Sequence, residues 1–445
     1  MKNPRYLRLA DTMSAAIREG RLAPGTKLPT HRAFAEQCNV ALATATRIYK
    51  ELERRGEVVG EAGRGTFVRD LGLPPTLGVH QTDAEGLIDL VFNMPGDAGD
   101  AEILRAGLRR LSSAGDLEAM LRYQPHGGRT HERRIIADSL TPVLGSVPPE
   151  NLLITSGGQH GLATIAFGLF QRGDAIAADT LTYPGFKSVA ALQGLDLIPV
   201  EGSDGVMDPD ALDRQCRARR LRAVYLMPTV HNPLGSVMDE ATRQRVVKVA
   251  QTHDLIIIED AAYAFLESDP PPCFIALAPE RTIHVGGFSK SLATGLRLGY
   301  LVAPSQHIPR LLEAIRATTW NAPALISGLV TGWVEDGTLA KSEEGRRHDG
   351  AERQRLCHAA LRDLAVCAHP NAGFAWVWLE KGMRAEPIVA ALKERGISAS
   401  GAGPFATTVA VPQALRLAFG GIPKAELKQV FETVYQVVEC ERKRG

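Results

Sequence analysis

A chain of 445 residues has room for two or three domains, and 44% hydrophobic with 23% charged residues is the make-up of an ordinary globular protein, not a disordered or fibrous one. No apolar run approaches the roughly 20 residues a membrane helix needs, and no signal-peptide core follows the N-terminus, so a cytoplasmic protein is expected. The net charge of +1 hides an asymmetry: residues 1–70 hold 13 Lys and Arg against 8 Asp and Glu, the remainder 38 against 42. A basic module ahead of a near-neutral body points toward nucleic acid. The six cysteines (Cys38, Cys216, Cys273, Cys357, Cys367, Cys440) are scattered without a CxxC pair, so free thiols are expected and no metal site.

Leu7, Ala10, Met13, Ala16 and Ile17 recur at helical spacing over residues 6–17, and Gly20 ends that helix. After a turn at residues 22–25, Thr30 is placed to N-cap a second helix over residues 31–38. A third helix is expected over residues 42–55. Short strands follow at 58–59 and 66–68, joined by the Gly-bearing residues 61–65. Three helices and a two-stranded wing within residues 1–70 predict a winged helix-turn-helix. Residues 71–86 lack periodicity, carry Pro74 and Pro75, and read as a linker.

From residue 87 onward a second folding unit is expected. Strand and helix patterns alternate over residues 152–302, giving a large, mostly parallel α/β part at about 125–303; a small C-terminal α+β part follows at 304–445, with strands at 373–379 and 415–419. Four stretches sit at the C-terminal ends of buried strands, where open α/β sheets collect ligand groups: Thr155-Ser156-Gly157-Gly158-Gln159, His231-Asn232-Pro233-Leu234-Gly235, Glu259-Asp260-Ala261-Ala262-Tyr263 and Gly286-Gly287-Phe288-Ser289-Lys290. A lysine among small residues behind a buried strand is partly desolvated and can condense with an aldehyde. Arg297, seven positions on, can grip a phosphate with two parallel hydrogen bonds. Arg416 stands in an apolar strand, which is costly unless the cation is paired; a structural salt bridge and a bound carboxylate both satisfy that demand.

These four motifs, in this order, resemble the class I aminotransferases of the fold type I pyridoxal 5'-phosphate enzymes. The resemblance implies that Lys290 carries the cofactor as a Schiff base and Asp260 pairs with its ring nitrogen. Asn232 and Tyr263 would bond its phenolic oxygen, and Tyr183 would stack on the ring. Gly157, Gly158, Gln159, Ser289 and Arg297 would hold the phosphate, and Arg416 the α-carboxylate of an amino acid. Tyr123 would reach the neighbouring subunit's phosphate, making a homodimer part of the site. Relatives carry a hydroxyl residue where this chain has Gly287.

The N-terminal residues Gly25-Thr26-Lys27-Leu28-Pro29-Thr30-His31-Arg32 and Gly63-Arg64-Gly65-Thr66-Phe67-Val68 are similar to the GntR family. That similarity implies double-stranded DNA as partner, with Arg32 on phosphate, Thr44, Thr46 and Arg47 facing the major groove, and the wing tip ending at Gly65 along the backbone. Relatives have a Ser-Arg pair where this chain has Ala41-Leu42. Together the two halves resemble the MocR regulators, which implies a pyridoxal-phosphate-dependent transcriptional regulator responding to an amino acid or amine. An active aminotransferase with a secondary DNA-binding module is the alternative, and a sensor of the cofactor alone is a third.

Overall fold

A computed structural model of the chain describes residues 5–18, 21–22, 25–55, 57–61, 65–68, 87–96, 100–113 and 117–443. Wing-tip residues 62–64 and the linker expected at 71–86 lie outside the described residues. In the N-terminal unit, α1 (Arg5–Arg18), α2 (His31–Gln37) and α3 (Leu42–Arg54) pack around Ala10, Ile17, Phe34, Ile48 and Leu52. The antiparallel hairpin of β1 (Val58–Glu61) and β2 (Gly65–Val68) closes this core with Val58 and Val68. Thr30 caps α2 as expected, its hydroxyl accepting the Ala33 amide at 3.3 Å. At the start of α3, Ala41 offers no side-chain cap.

The chain continues through β3 (Ile88–Asp89), α4 (Asp100–Ser113), α5 (Leu117–Met120), α6 (Thr130–Leu144), β4 (Leu152–Thr155), α7 (Gly158–Leu169), β5 (Ala175–Asp179), α8 (Pro184–Gln193) and β6 (Asp196–Val200). A short hairpin, β7 (Gly202–Ser203) and β8 (Val206–Met207), leads to α9 (Pro209–Ala218), β9 (Ala223–Leu226), α10 (Glu240–Thr252), β10 (Ile256–Asp260), α11 (Phe274–Leu277), β11 (Thr282–Gly287) and β12 (Gly299–Val302). Seven of these strands form one sheet in the order β4-β12-β11-β10-β9-β5-β6. The sheet is mostly parallel, with β12 antiparallel to both neighbours. Strands β4, β9 and β12 are buried along their whole length. A sheet covered by helices on both faces demands that, which is why these segments read as continuous apolar runs.

After α12 (Ile308–Thr318), α13 (Ala324–Glu335) and the 23-residue α14 (Thr338–Ala360) come β13 (Ala365–Cys367), β14 (Phe374–Trp378), α15 (Ala385–Glu394), β15 (Ile397–Ser398), β16 (Ser400–Gly401), β17 (Ala414–Ala418) and α16 (Lys424–Arg442). The antiparallel sheet β13-β14-β17-β16 packs with α15 and α16 around Leu392, Leu415, Leu417, Phe419 and Phe431. β15 pairs in parallel with β3, so Ile88 and Asp89 are built into this small C-terminal unit. Buried arginines on α14 brace the regions to each other. Arg346 forks onto Asp100 at 2.7 and 2.8 Å and donates to Leu292 O at 2.9 Å, while Arg353 donates to Phe419 O and Ile422 O at 2.9 and 2.6 Å.

Candidate functional site

The loops at the C-terminal ends of β4, β10 and β11 and the loop after β9 converge on a cavity of about 380 Å³. Its lining includes Gly158, Gln159, Tyr183, Asn232, Asp260, Tyr263, Ser289, Lys290, Arg297 and Arg416. Residues spread over more than 250 positions of sequence thus meet because the strands bearing them are neighbours in the sheet.

Asp260 ends β10 and is 3% exposed. Its Oδ2 accepts from the Tyr225 hydroxyl on β9 at 2.8 Å and its Oδ1 from the Ala262 amide at 3.0 Å. Burial pushes its pKa up, and those two bonds pull it back. Tyr225 was not singled out from the sequence; the available signal is a tyrosine inside a fully buried strand, where its hydroxyl requires a partner. Behind it, Glu259 accepts from the Phe274 amide at 2.9 Å and lies 3.0 Å from His284 Nδ1, fastening β10 to β11.

Lys290 follows β11. Its Nζ donates to Asn93 O at 2.6 Å and stands 5.8 Å from the Tyr263 ring centroid. The Tyr263 hydroxyl accepts from Asn93 Nδ2 at 3.3 Å. Burial alone would raise the pKa of Tyr263, but the cations of Lys290 and Arg416 outweigh it and hold the phenol below its ordinary value. Asn93 is a second residue that was not singled out from the sequence.

At the other end of the cavity α7 begins at Gly158, with Gly157 as N-cap at φ 91°. A Cβ on Gly157 would stand 2.8 Å from the Arg297 guanidinium, so the glycine is what admits the arginine. Arg297 Nη1 donates to Ser289 Oγ at 3.3 Å. Helix N-terminus, hydroxyl and guanidinium together suit a phosphate. A Cβ at Gly287 would meet only ordinary contacts, Leu298 O at 3.4 Å and Gly158 N at 3.5 Å, so sterics do not impose the missing hydroxyl. At neighbouring Gly286 any side chain would run into the Tyr300 ring.

Arg416 lies mid-strand in β17, 3% exposed, with Nη1 donating to Val91 O at 3.0 Å. Its guanidinium sits 4.8 Å from the Phe374 ring centroid and 6.0 Å from that of Phe405. It makes no ion pair with a carboxylate among the described residues, and its Nε has no hydrogen-bond partner there. Burial lowers its pKa, opposed by Tyr263 and Asp89. Tyr183 caps α8 beside Gln159, whose Nε2 donates to Gly185 O at 2.9 Å. Tyr123 is not part of this cavity; it is 87% exposed and stands 5.7 Å from the Trp320 ring.

Pyridoxal phosphate fits this residue set. Asn232 Oδ1 and Gln159 Oε1 are buried acceptors with no partner among the described residues, and both belong to residues lining the cavity. The donor set is an anion cradle at one end, a buried carboxylate at the other and a lysine amine between them.

On the winged helix, Thr44 and Arg47 lie one turn apart on α3 and line a shallow polar hollow with Arg5 and Asn39. Arg32 is exposed at the start of α2, and Gly65 is exposed at the start of β2 with φ 118°. Thr46, also expected to face the groove, has its hydroxyl donating to Leu42 O at 3.0 Å and lying 3.4 Å from His31 Nδ1. Two residues along a helix is about 200° of rotation, so Thr46 cannot share a face with Thr44.

Residues 86–434 match the family described as aminotransferase class I and II, and residues 5–68 match the bacterial regulatory proteins of the gntR family. The chain belongs to the class I and II aminotransferases. Its GntR-family module makes it an aminotransferase relative of the MocR type. Among curated relatives, it is 28% identical over 382 residues to the uncharacterized HTH-type transcriptional regulator YdeF of Bacillus subtilis, covering 85% of this chain and 82% of that one. It is 23% identical to the HTH-type pyridoxine biosynthesis transcriptional regulator PdxR of Corynebacterium glutamicum, over 97% of this chain and 95% of the other. Among solved structures, the α-aminoadipate aminotransferase LysN of Thermus thermophilus, complexed with N-(5'-phosphopyridoxyl)-L-leucine, superposes with a TM-score of 0.75 at 24% identity, covering 81% of this chain and 94% of that one. This class I and II aminotransferase fold is therefore of fold type I, its cofactor is pyridoxal phosphate, and the chain carries a DNA-binding module ahead of it. No helix among the described residues is long and apolar enough to cross a membrane.

Proposed function

We propose that the chain is a homodimeric transcriptional regulator whose aminotransferase-like part binds pyridoxal phosphate together with an amino acid or amine, and whose winged helix reads double-stranded DNA. Arg416 carries this reading: a buried guanidinium with no carboxylate partner among the described residues, facing the same cavity as Lys290, supports a ligand with a carboxylate as well as an amine. Bound pyridoxal phosphate supplies an aldehyde that exchanges amines and a ring that withdraws electrons. Asp260, steadied by Tyr225 and Ala262, would keep a proton on the ring nitrogen. Asn232 and Tyr263 would hold the phenolic oxygen, and Arg297, Ser289 and the start of α7 the phosphate. Arg416 would orient the incoming carboxylate, and Lys290 would move a proton at the amine.

Tyr123 lies exposed with Leu121 and Trp320, where a second copy would cover apolar surface and bring Tyr123 to the neighbouring cavity. The ligand shifts DNA binding only through a difference in its affinity for two arrangements of the protein.

The deciding measurement is the visible absorbance of the pyridoxal-phosphate-loaded protein, titrated with a panel of amino acids with and without a keto acid. A spectral change without accumulation of a new amino acid supports an effector sensor. Steady conversion to a new amino acid replaces that reading with a working aminotransferase. Lys290→Ala is expected to abolish the absorbance of the covalently held cofactor, and unchanged absorbance refutes the lysine's role.

A further inference from the structure

Among the described residues, the winged helix touches the small C-terminal unit at Phe67 and at Gly25. In β2, Val68 is buried in the core of the winged helix, so strand alternation turns Phe67 to the opposite face, and Phe67 takes no part in that core. On a winged helix standing alone its ring would face water. Here the guanidinium of Arg384, the N-cap residue of α15, lies 3.9 Å from the Phe67 ring centroid, with Lys27 Nζ 5.9 Å from the same centroid. A planar guanidinium close against an aromatic ring is a favourable cation–π geometry, and Arg384 is only 8% exposed. Its Nε also stands 3.5 Å from Glu386 in the first turn of α15. The second contact is the turn at Gly25, whose amide donates to Val68 O at 2.9 Å. A Cβ there would lie 3.6 Å from Glu386 Cβ and 3.9 Å from Pro387 Cδ.

The surface under the winged helix is continuous with the cavity wall. α15 runs into β15, which pairs with β3. Asp89 on β3 accepts from the amides of Val91 and Phe92 at 2.7 and 3.3 Å and from Ser398 Oγ at 3.2 Å. Val91 O in turn accepts from Arg416.

We infer that residues 384–387, at the start of α15, are the docking surface for the chain's own winged helix, fastened by Arg384 on Phe67, and that movement of the small unit reaches the DNA-reading helix through this surface. The second half of this inference rests on the regulator reading; the docking does not.

The test compares the full-length protein with Arg384→Ala, Arg384→Lys and Phe67→Leu. Amide hydrogen exchange, followed without DNA, is expected to accelerate about five-fold at residues 25–28 and 65–68 in Arg384→Ala and Phe67→Leu, and less in Arg384→Lys. The strands at 223–226 and 256–260 serve as the folding control and are expected to be unchanged. Equal exchange at both segments in wild type and Arg384→Ala overturns the docking. For the coupling, the ratio of DNA Kd with and without pyridoxal phosphate is expected to fall toward one in Arg384→Ala while the cofactor's absorbance stays the same. A ratio equal to that of wild type, or a wild-type ratio already at one, overturns the coupling. Absence of any salt-dependent DNA binding by the wild type sinks the regulator reading and the coupling with it, and the exchange result still decides the docking.

Discussion

Asp260 and Tyr225 show how single residues set the chemistry of this site. A carboxylate this deeply buried is pushed toward its neutral form, and the hydrogen bonds that oppose this push persist only when their donors are fixed. Tyr225 is fixed by complete burial in β9 and by stacking on Phe186 with ring centroids 3.9 Å apart. Tyr225→Phe keeps the packing and removes one bond to a charged group, worth roughly 1.5–3 kcal/mol. Pyridoxal phosphate is therefore expected to bind about ten-fold or more weakly. Equilibrium dialysis checks this, and an unchanged Kd removes Tyr225 from the site's machinery.

At the scale of elements, α14 decides how the cavity is held. Its mean pattern is polar, yet Arg346, Arg353 and Gln354 are buried on it, each spent on backbone carbonyls of other regions. Arg346 tethers the loop after Lys290, through Ser291 O and Leu292 O, to Gly96 O and to Asp100 at the start of α4. Arg346→Ala would take this donor from Leu292 O, Gly96 O and Asp100, while Ser291 O keeps the Ser342 hydroxyl, a loss of about 3 kcal/mol. A lower urea midpoint together with weaker cofactor loading is the expected result; a midpoint equal to wild type contradicts the bracing role.

The same helix carries a titrating group. Burial pushes the Glu343 carboxyl up to about 7, with Arg347 pulling it back. A carboxyl raised in the folded state lends stability that is fully present below its unfolded pKa and is lost as pH rises through the folded value. Glu343→Gln is therefore expected to match wild type near pH 4 and to become the more stable protein by up to roughly 3 kcal/mol by pH 8. Thermal midpoints across that range read the difference, and a gap that does not vary with pH contradicts the burial of the ionised group.

For the whole molecule, the question is how a basic module reads DNA without the Ser-Arg pair at the start of α3. Arg5 from α1, its Nη2 donating to Asn39 O at 3.2 Å, places a second guanidinium in the hollow lined by Thr44 and Arg47. If Arg47 touches a phosphate, Arg47→Ala lowers the slope of log K against log salt concentration by about 0.9 and weakens all DNA sequences alike. A slope equal to wild type removes Arg47 from the backbone contacts. Cofactor absorbance is expected to be the same in both proteins.

The sequence by itself determined the two folding units, the alternation of strand and helix, and the motifs of the site, because each is local: a buried strand is an apolar run, and small residues with a lysine or a carboxylate follow it directly. Lys290, Asp260, Asn232 and Tyr263 were legible for that reason. Only the tertiary structure decided which residues stand behind them. Tyr225 and Asn93 lie 35 and 197 positions from the groups they contact; strand order brings Tyr225 there, and the packing of the loop after β3 brings Asn93. It also decided that Thr46 lies against His31 of α2. The antiparallel β12 inside a parallel sheet, and the seating of Phe67 on Arg384, are likewise relations between distant segments that no local pattern encodes.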